Sequence, residues 1–443
     1  MADHGRSSLD TLPVELLTEI SIYLCPPYWR YPYSVSEKHL SRLSRTCRQL
    51  RDVCQPLLFN HYHHESTAVK PLLSFLRTLD ARPDLAKCVT SLDFLEPGQA
   101  DDLGEENRQL VQSCIAKLGL PPLPADWHDY LAVERRLLAT ELVVVSCPNI
   151  KILTMPMNPE WVVSVLASLP KEFVFANLKK LDICPYYISG DHYAIEYRKI
   201  SGLLHASPNV EHLHLPSIEM FHSGKAEVPT LEKLTDLDLG EGAPPPYFLN
   251  CAVEACPNLH KFQLHWVDTD GYDEDSDEWS PLDGWRALQR VQSSVREIIF
   301  ETVLEFRDDD NLEDVSTLRD FARLEILKVN GIALDALYNA WAHHNRYASL
   351  EQFVYQVFPS TIKELTIWDP AAWLIEAVRL FAGEAARGQY PRLAKMTIGL
   401  SEHMDGYGFD VVQWVKQETT VRREFDCSMI ELCMELPPPA LFA

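Results

Sequence analysis

A single spacing of hydrophobic residues recurs along the chain. One apolar residue is followed by a second three positions later and by a third two positions after that. The last two apolar positions alternate with one other residue, which is the period of a strand that buries one face. The pattern predicts ten short strands. They are contained in Val89–Phe94, Ile150–Met155, Leu178–Ile183, Val210–Leu215, Leu234–Leu239, Leu259–Leu264, Val295–Phe300, Leu324–Val329, Ile362–Ile367 and Leu393–Ile398.

The segments between these hexapeptides predict helices, for example over residues 131–146 (LAVERRLLATELVVVS) and 200–207 (ISGLLHAS). From Leu153 onward, the central residues of successive hexapeptides are 24 to 38 positions apart. Pro-Asn introduces three of the strands, in CPNI, SPNV and CPNL, and proline ends a helix and favours an extended residue before it. Stacked units of one strand and one helix predict a parallel sheet with helices outside it.

Over about residues 85–400 these units resemble leucine-rich repeats of an irregular kind. The resemblance implies an α/β solenoid with a parallel sheet on its concave face. The Asn or Cys that usually follows the strand is mostly absent, and the unit lengths vary, so the repeat number and the curvature stay open. The interval from Leu92 to Leu153 is about twice a repeat, and contains an insertion or a degenerate unit at residues 121–130 (PPLPADWHDY). An ordinary α/β domain with alternating elements is the alternative.

The N-terminal segment has helical rather than strand spacing. Residues 9–24 (LDTLPVELLTEISIYL) carry a proline near the start, where its missing N–H costs nothing, and an apolar stripe at Leu16, Leu17, Ile20 and Leu24. After a proline-rich stretch, helical spacing returns in LSRLSRTCRQLRDVCQPLLF, residues 40–59. Two or three short helices make a marginal core alone, so a neighbour or a partner is expected to complete it.

These two helical stretches together resemble the F-box motif, over about residues 9–59. Cys47, Arg48 and Leu50 match its second half, and the link between Leu24 and Leu40 is longer than usual. The resemblance implies a helical unit that binds the Skp-type adaptor of a cullin–RING ubiquitin ligase. It assigns seven residues to the adaptor-facing or supporting apolar surface: Leu12, Pro13, Leu16, Ile20, Leu24, Leu40 and Leu43. The alternative is a pair of helices that only caps the array behind it.

Composition narrows the class of protein. Hydrophobic residues make up 46% of the chain, which is typical of a folded protein, and the formal charge of −24 argues against nucleic acid as the main partner. No run of apolar residues is long enough to predict a membrane span. The eleven cysteines form no Cys-x-x-Cys pair, so the sequence predicts free thiols in a reducing compartment, the cytoplasm or the nucleus, and most of them as buried small hydrophobes.

The residues between the last two apolar positions of each strand are candidates for target binding, because they point away from the core. The predicted target-binding residues on the concave face are Asp182, His214, Asp238, Gln263, Lys328 and Thr366, together with Trp368, which lies just past its strand as His265 and Trp266 do. Asp93, Thr154, Ile299 and Thr397 are further middle residues of their strands. Their mixed polarity suits recognition of a protein better than a small-molecule pocket.

Catalytic and metal-binding motifs find no support. No nucleophile-elbow, phosphate-loop, dinucleotide or zinc-protease motif occurs in the sequence, so no enzymatic activity and no cofactor is predicted. HYHH (61–64) and HLH (212–214) each lack further ligands at a usable spacing, so no metal site is predicted. The acidic stretch 268–278 fails as a calcium loop, because Glu278 stands where glycine is required, and it is interpreted as a solvated loop.

The chain is therefore expected to comprise an F-box-like helical domain (1–65), a leucine-rich-repeat solenoid (66–400), and a C-terminal cap and tail (401–443). In the tail, residues 411–417 (VVQWVKQ) and 429–436 (MIELCMEL) are predicted as helices. The predicted function is that of the substrate-recognition subunit of an SCF-type ubiquitin ligase, which binds a target protein through the repeats. The alternative is a repeat scaffold for protein interactions with no ligase role.

Overall fold

The computed structural model describes residues 12–24, 34–64, 68–94, 104–124, 127, 132–157, 164–185, 195–216, 218–219, 228–241, 244–266, 280–302, 317–345, 349–368, 372–399 and 430–435. The chain divides into two compact units. The first consists of Met1–Tyr186 and Arg198–Val210, and the second of Tyr187–Tyr197 and Glu211–Ala443. The domain boundaries placed at residues 65 and 400 from the sequence stay predictions.

The first unit contains four strands and eight α-helices among its described residues, counting α8, whose first residue belongs to the second unit. The strands are β1 (His61–His64), β2 (Ser91–Phe94), β3 (Ile152–Met157) and β4 (Lys180–Pro185). The helices are α1 (Val14–Tyr23), α2 (Ser34–Ser44), α3 (Arg48–Asn60), α4 (Val69–Ala81), α5 (Pro83–Ala86), α6 (Gly104–Lys117), α7 (Ala132–Ser146) and α8 (Tyr197–His205).

The four strands of the first unit pair in chain order, and every pair is parallel. Strand β1 was not predicted, because HYHH shows no alternation of apolar and polar residues. It forms because Tyr62 stacks on Phe75 of α4, with the ring centroids 3.8 Å apart, and because Thr90 donates its backbone N–H to Asn60 O. The strand follows α3 without a break, so the helical segment leads directly into the sheet.

The second unit repeats the strand–helix alternation. Its described strands are β5 (Ile195–Glu196), β6 (His212–His214), β7 (Ile218–Glu219), β8 (Asp236–Glu241), β9 (Lys261–Trp266), β10 (Glu297–Thr302), β11 (Ile326–Asn330), β12 (Glu364–Trp368), β13 (Lys395–Gly399) and β14 (Glu431–Glu435). Its helices are α9 (Pro246–Glu254), α10 (Pro281–Gln289), α11 (Gly331–His344), α12 (Leu350–Val357) and α13 (Ala372–Ala386). Strand β6 and strands β8 to β14 pair in chain order in one parallel sheet, and β5 pairs with β7.

One backbone hydrogen-bonding arrangement recurs where each strand begins. In the second unit, Glu211 O accepts the N–H groups of both Thr235 and Asp236, and Thr235 O in turn accepts those of His260 and Lys261. The same double acceptance continues at the starts of β10 to β13. Each strand–helix repeat is therefore joined to the repeat before it by the same contact, as expected for stacked repeats.

All ten predicted strands are present, and the α/β class with parallel strands is confirmed. The predicted helix over residues 429–436 is wrong, because Glu431–Glu435 is a strand, β14, that pairs in parallel with β13. The residues Ile430, Leu432 and Met434 also alternate with other residues, so the sequence fits both periods. Pairing with β13 selects the strand, and Ala394 O, just before β13, accepts the N–H of Glu431 at 2.9 Å.

The Pro-Asn motifs have a structural role that joins successive units. The side-chain amide of Asn149 donates to Lys87 O at 2.8 Å, that of Asn209 to Ala176 O at 3.0 Å, and that of Asn258 to Glu232 O at 2.9 Å. In each case the acceptor is a backbone carbonyl in the turn of the preceding strand–helix unit. The motif therefore ends a helix with proline and ties the next turn to its neighbour with asparagine.

Removing one of these ties should cost a small, measurable amount of stability. We expect Asn258→Ala to lower the free energy of unfolding by about 0.5–1 kcal/mol, the usual worth of one exposed hydrogen bond. Asn258→Asp keeps the shape but places a carboxylate oxygen against Glu232 O, and should cost at least as much. Urea unfolding of the two variants measures both values, and an unchanged midpoint for both would show that the contact contributes nothing.

The core of each unit lies on one side of its strands. In the second unit, Trp285 of α10 packs edge-on against Phe300 of β10, with centroids 4.9 Å apart, and its indole N–H donates to Ala333 O. Gly284 makes this packing possible, because a Cβ there would lie 2.8 Å from the Phe300 ring. Burial of each such large side chain stabilises the fold by about 1.5–3 kcal/mol.

The described cysteines are all free thiols, and four of the nine are buried. The prediction that most cysteines are buried is therefore wrong for this set, since the other five are partly accessible. Burial raises the pKa of Cys256 to about 12, and it raises that of Cys147 further. Within the described residues, no helix combines the length and the hydropathy needed to cross a bilayer.

Candidate functional site

Helix α1 is anchored to the first unit by one narrow edge. Its two buried residues are Leu17 and Ser21, one helical turn apart. The Ser21 hydroxyl donates to Leu17 O at 2.7 Å and lies 3.4 Å from the thiol of Cys54 on α3. The N-terminal end is held by Gln49, whose amide donates to Leu12 O at 3.3 Å. These contacts fix the helix and leave its other faces uncovered by the described residues.

The uncovered faces of α1 are strongly apolar. Leu16 is 51% exposed and Ile20 40% exposed, and three further residues of the helix, Val14, Ile22 and Tyr23, are exposed as well. The described part of the chain has nine exposed large hydrophobic residues, and five of them belong to this ten-residue helix. Apolar side chains concentrated in this way on one helix are typical of an interaction surface.

The seven residues assigned to the adaptor surface fall into three groups. Pro13, Leu16 and Ile20 are exposed; Leu12, Leu24 and Leu43 are partly buried; Leu40 is only 2% exposed. Burial restricts Leu40 to a supporting role. The predicted stripe of α1 is divided, because Leu17 points inward while its neighbour Leu16 points out. The sequence pattern does not mark Val14, Ile22 and Tyr23, because their exposure depends on how α3 packs.

A second candidate surface is the side of the strands opposite the core. We call this side the polar face. In the second unit, one register row runs along the middle of it. The row consists of His214, Asp238, Gln263, Ile299, Lys328, Thr366 and Thr397. Five of these residues are partly exposed, whereas Ile299 and Thr397 are buried. Trp368 lies two residues further along β12, beside Asn330 and Gly399 rather than in this row.

In the first unit, the equivalent row is His63, Asp93, Thr154 and Asp182. His63 Nδ1 lies 2.9 Å from Asp93 Oδ2, directly across the β1–β2 pair. Within each unit the strand-centre candidates therefore lie side by side, as the repeat pattern predicts.

Neighbouring strands of the polar face are linked by side-chain hydrogen bonds. His265 Nε2 lies 2.6 Å from the side-chain amide of Gln263 on the same strand, and His265 Nδ1 lies 3.0 Å from Glu301 Oε2 on the next strand. Asp238 accepts the backbone N–H of Gly240 at 2.8 Å. These contacts place the carboxylates beside histidine rings and a backbone N–H rather than beside lysine or arginine.

The two histidine-rich stretches, residues 61–64 and 212–214, form strands β1 and β6. Burial lowers the pKa of His61 to about 4, assisted by the nearby His63. Burial also lowers the pKa of His64 to about 4, assisted by the positive charge of Arg136. His212 and His214 are in register with Asp236 and Asp238 on β8, neighbours that the sequence analysis did not identify. Over the described ranges, no three His, Cys, Asp or Glu residues are placed to hold a metal ion.

Three segments for which the sequence makes predictions lie outside the described residues. They are most of the long link between Leu24 and Leu40, the acidic stretch 268–278, and residues 411–417 of the tail. The side chain of Trp266 is also outside them. Comparison of the chain with protein-family models and with curated proteins finds no match in either case.

Proposed function

We propose that this chain is the substrate-recognition subunit of an SCF-type cullin–RING ubiquitin ligase. Helices α1 to α3 would bind a Skp-type adaptor, and the polar face of the strands would bind a target protein. The chain would perform no chemistry itself and would use no cofactor, acting in the cytoplasm or the nucleus. It would raise the effective concentration of the target near a ubiquitin-charged enzyme.

The observation that carries this proposal is the exposed apolar surface of α1. An amphipathic helix can bury such a surface in a hydrophobic groove of a partner. Leu16 and Ile20 lie four residues apart, on the side of the helix that Leu17 and Ser21 leave free. Both belong to the F-box-like pattern in the sequence, so the motif and the exposure point to the same residues.

An adaptor-binding assay with purified components tests the proposal. We expect the double variant Leu16→Asp/Ile20→Asp to lose adaptor binding by at least about a hundredfold, because two carboxylates would have to be desolvated in an apolar groove. The matched control is Val174→Asp/Tyr247→Asp, which changes two equally exposed apolar residues elsewhere and should bind as the wild type does.

The adaptor proposal fails if the wild type retains no adaptor, or if the α1 variant binds as well as the control. Circular dichroism of the α1 variant should match that of the wild type, because the substituted residues are already in solvent.

A scaffold without a ligase role is the second candidate. It is favoured by the continuity of α3 with β1 and by the bond from Thr90 to Asn60 O, both of which suit a helical cap. A cap, however, should bury its apolar residues against the array, whereas α1 exposes five of them. If the chain is a scaffold without a ligase role, the wild type should fold stably and should not bind the adaptor.

A further inference from the structure

We propose that part of the polar face of the second unit binds a lysine- or arginine-bearing extended segment of the target protein. The proposal rests on the proposed function, because it names the class of target that the repeats would hold. The part concerned, which we call the acidic sector, is the polar face of β8, β9 and β10. It carries the carboxylates Asp236, Asp238, Glu297 and Glu301.

The charge of the polar face is unevenly distributed. Among the described side chains of the acidic sector, four carboxylates are accompanied by one lysine, Lys261, which lies in register between Asp236 and Glu297. On β11 to β13 the same face carries two lysines, Lys328 and Lys395, and one carboxylate, Glu364, while Glu431 of β14 is in register with Lys395. Carboxylates therefore outnumber lysines on β8 to β10 but not on β11 to β13, and a cationic partner complements the acidic sector.

Three carboxylates of the acidic sector have no lysine or arginine partner among the described residues. The groups that contact them are histidine rings and a backbone N–H: Glu301 lies 3.0 Å from His265, Asp236 lies 3.4 Å from His212, and Asp238 accepts the N–H of Gly240 and lies 3.9 Å from His214. Only Glu297 has a described lysine partner, Lys328 at 3.9 Å, and that distance is too long for a hydrogen bond.

The four carboxylates are also accessible. The exposed fractions of their side chains lie between 23% and 30%. They are therefore held by neighbours and still reachable by a ligand. A partly desolvated carboxylate interacts more strongly with an incoming cation than one fully in water.

The spacing of the strands favours an extended ligand. Asp238 and Glu301 lie on strands separated by one other strand, and Glu301 is two residues beyond the register partner of Asp238, so their backbones are about 12 Å apart. In an extended segment of polyproline II form, side chains three residues apart lie on the same side of the chain and about 9 Å apart, and the length of a lysine side chain covers the difference. A segment that crosses the strands can therefore place one basic side chain at each of these carboxylates. Trp368 and the partly exposed Ile326 offer apolar contact on neighbouring strands.

A peptide titration with the full chain tests this inference. The probe is a fluorescent peptide of four Lys-Ser-Ser repeats, and its counterpart has Glu in place of Lys. We expect the lysine peptide to bind the wild type, and its affinity to fall by at least about tenfold in Asp238→Lys/Glu301→Lys. The matched control, Glu232→Lys/Asp320→Lys, makes the same change in net charge at exposed residues outside the strands and should change affinity by less than about threefold.

Three results would overturn the inference. The first is an equal loss in both variants, which would show attraction to net charge alone. The second is failure of the lysine peptide to bind more tightly than the glutamate peptide. The third is self-association of the wild type that the sector variant abolishes in sedimentation, which would identify a second copy of the chain as the occupant. If Asp238→Lys/Glu301→Lys does not fold, Asp238→Asn/Glu301→Gln removes the charges and keeps the shapes, and should still weaken the lysine peptide.

Adaptor binding separates this inference from the proposed function. The acidic-sector variant should retain the adaptor as the wild type does. Loss of peptide binding with the adaptor retained supports the inference. If the wild type binds the lysine peptide but no adaptor, the inference about the acidic sector is supported and the proposed ligase role is contradicted.

Discussion

Substitution of Gly202 by alanine should lower the free energy of unfolding of the first unit by about 3 kcal/mol or more. A Cβ at this position of α8 would lie 2.2 Å from Leu166 O and 2.9 Å from Ala167 O. Both atoms are backbone, so no side-chain rotation relieves the overlap, and α8 or the turn at Leu166–Ser168 must move. Urea unfolding gives the global value, and hydrogen exchange of the α7 and α8 amides shows whether the loss is local to this unit.

Gly383→Ala is the matched control for this substitution. Gly383 also lies inside a helix, α13, but a Cβ there would meet no atom within 4 Å. Alanine should therefore raise stability by about 0.5–1 kcal/mol, since it removes the conformational freedom that glycine has in the unfolded chain. The same substitution in two helices is thus expected to have opposite signs. Equal effects at both positions would contradict the close approach of α8 to the Leu166–Ser168 turn.

The contribution of Glu141 to the stability of the first unit should fall as the pH rises from about 5 to about 8. This residue of α7 is fully buried, and burial raises its pKa to about 8 against hydrogen bonds from Ser164 and the N–H groups of Val165 and Leu166. The ordinary pKa of 4.5 applies in the unfolded chain, so between the two values the folded state binds more protons. The stabilisation is complete below the lower value and is lost as the pH passes through the upper one.

The size of this effect sets the measurement. At about 1.4 kcal/mol per unit of pKa, the shift corresponds to a loss of up to about 4 kcal/mol over the interval. Urea unfolding of the wild type and of Glu141→Gln at pH 5, 6, 7 and 8 follows it. Glu141→Gln keeps an acceptor oxygen and has no proton to lose, and other groups with shifted pKa values, such as His61 and His64, affect both proteins alike. The stability of the wild type relative to Glu141→Gln should therefore fall over this range, and a difference that stays constant with pH would contradict the raised pKa of Glu141.

The strand positions were predictable because each depends on a local pattern with one buried face. Four of the described strands were not predicted, β1, β5, β7 and β14, and two of them, β1 and β14, show the limits of that pattern. Strand β1 depends on the stacking of Tyr62 on Phe75, thirteen residues away in the chain, which no local period reveals. Strand β14 fits two periods, and pairing with β13 selects one of them.

The candidate sites were predictable only in outline. The middle residues of the strands could be placed on one face, but the bond between His265 and Glu301 joins residues 36 positions apart. Such partners depend on the register of parallel strands, and helices and turns of varying length set that register. Likewise, Leu16 and Leu17 are adjacent in the sequence, and only the position of α3 decides which of them is buried. Glu141 lies in a predicted helix, but its partner Ser164 is 23 residues further along.

The most direct test of the proposed division between an adaptor-binding helical segment and a target-binding array is the affinity of the full chain for a purified Skp-type adaptor. Isothermal titration calorimetry should give saturable binding with one adaptor per chain, and a dissociation constant below about 1 μM. The heat capacity change should be negative, because the apolar residues of α1 leave water on binding. An absence of binding at adaptor concentrations of about 50 μM would contradict the account.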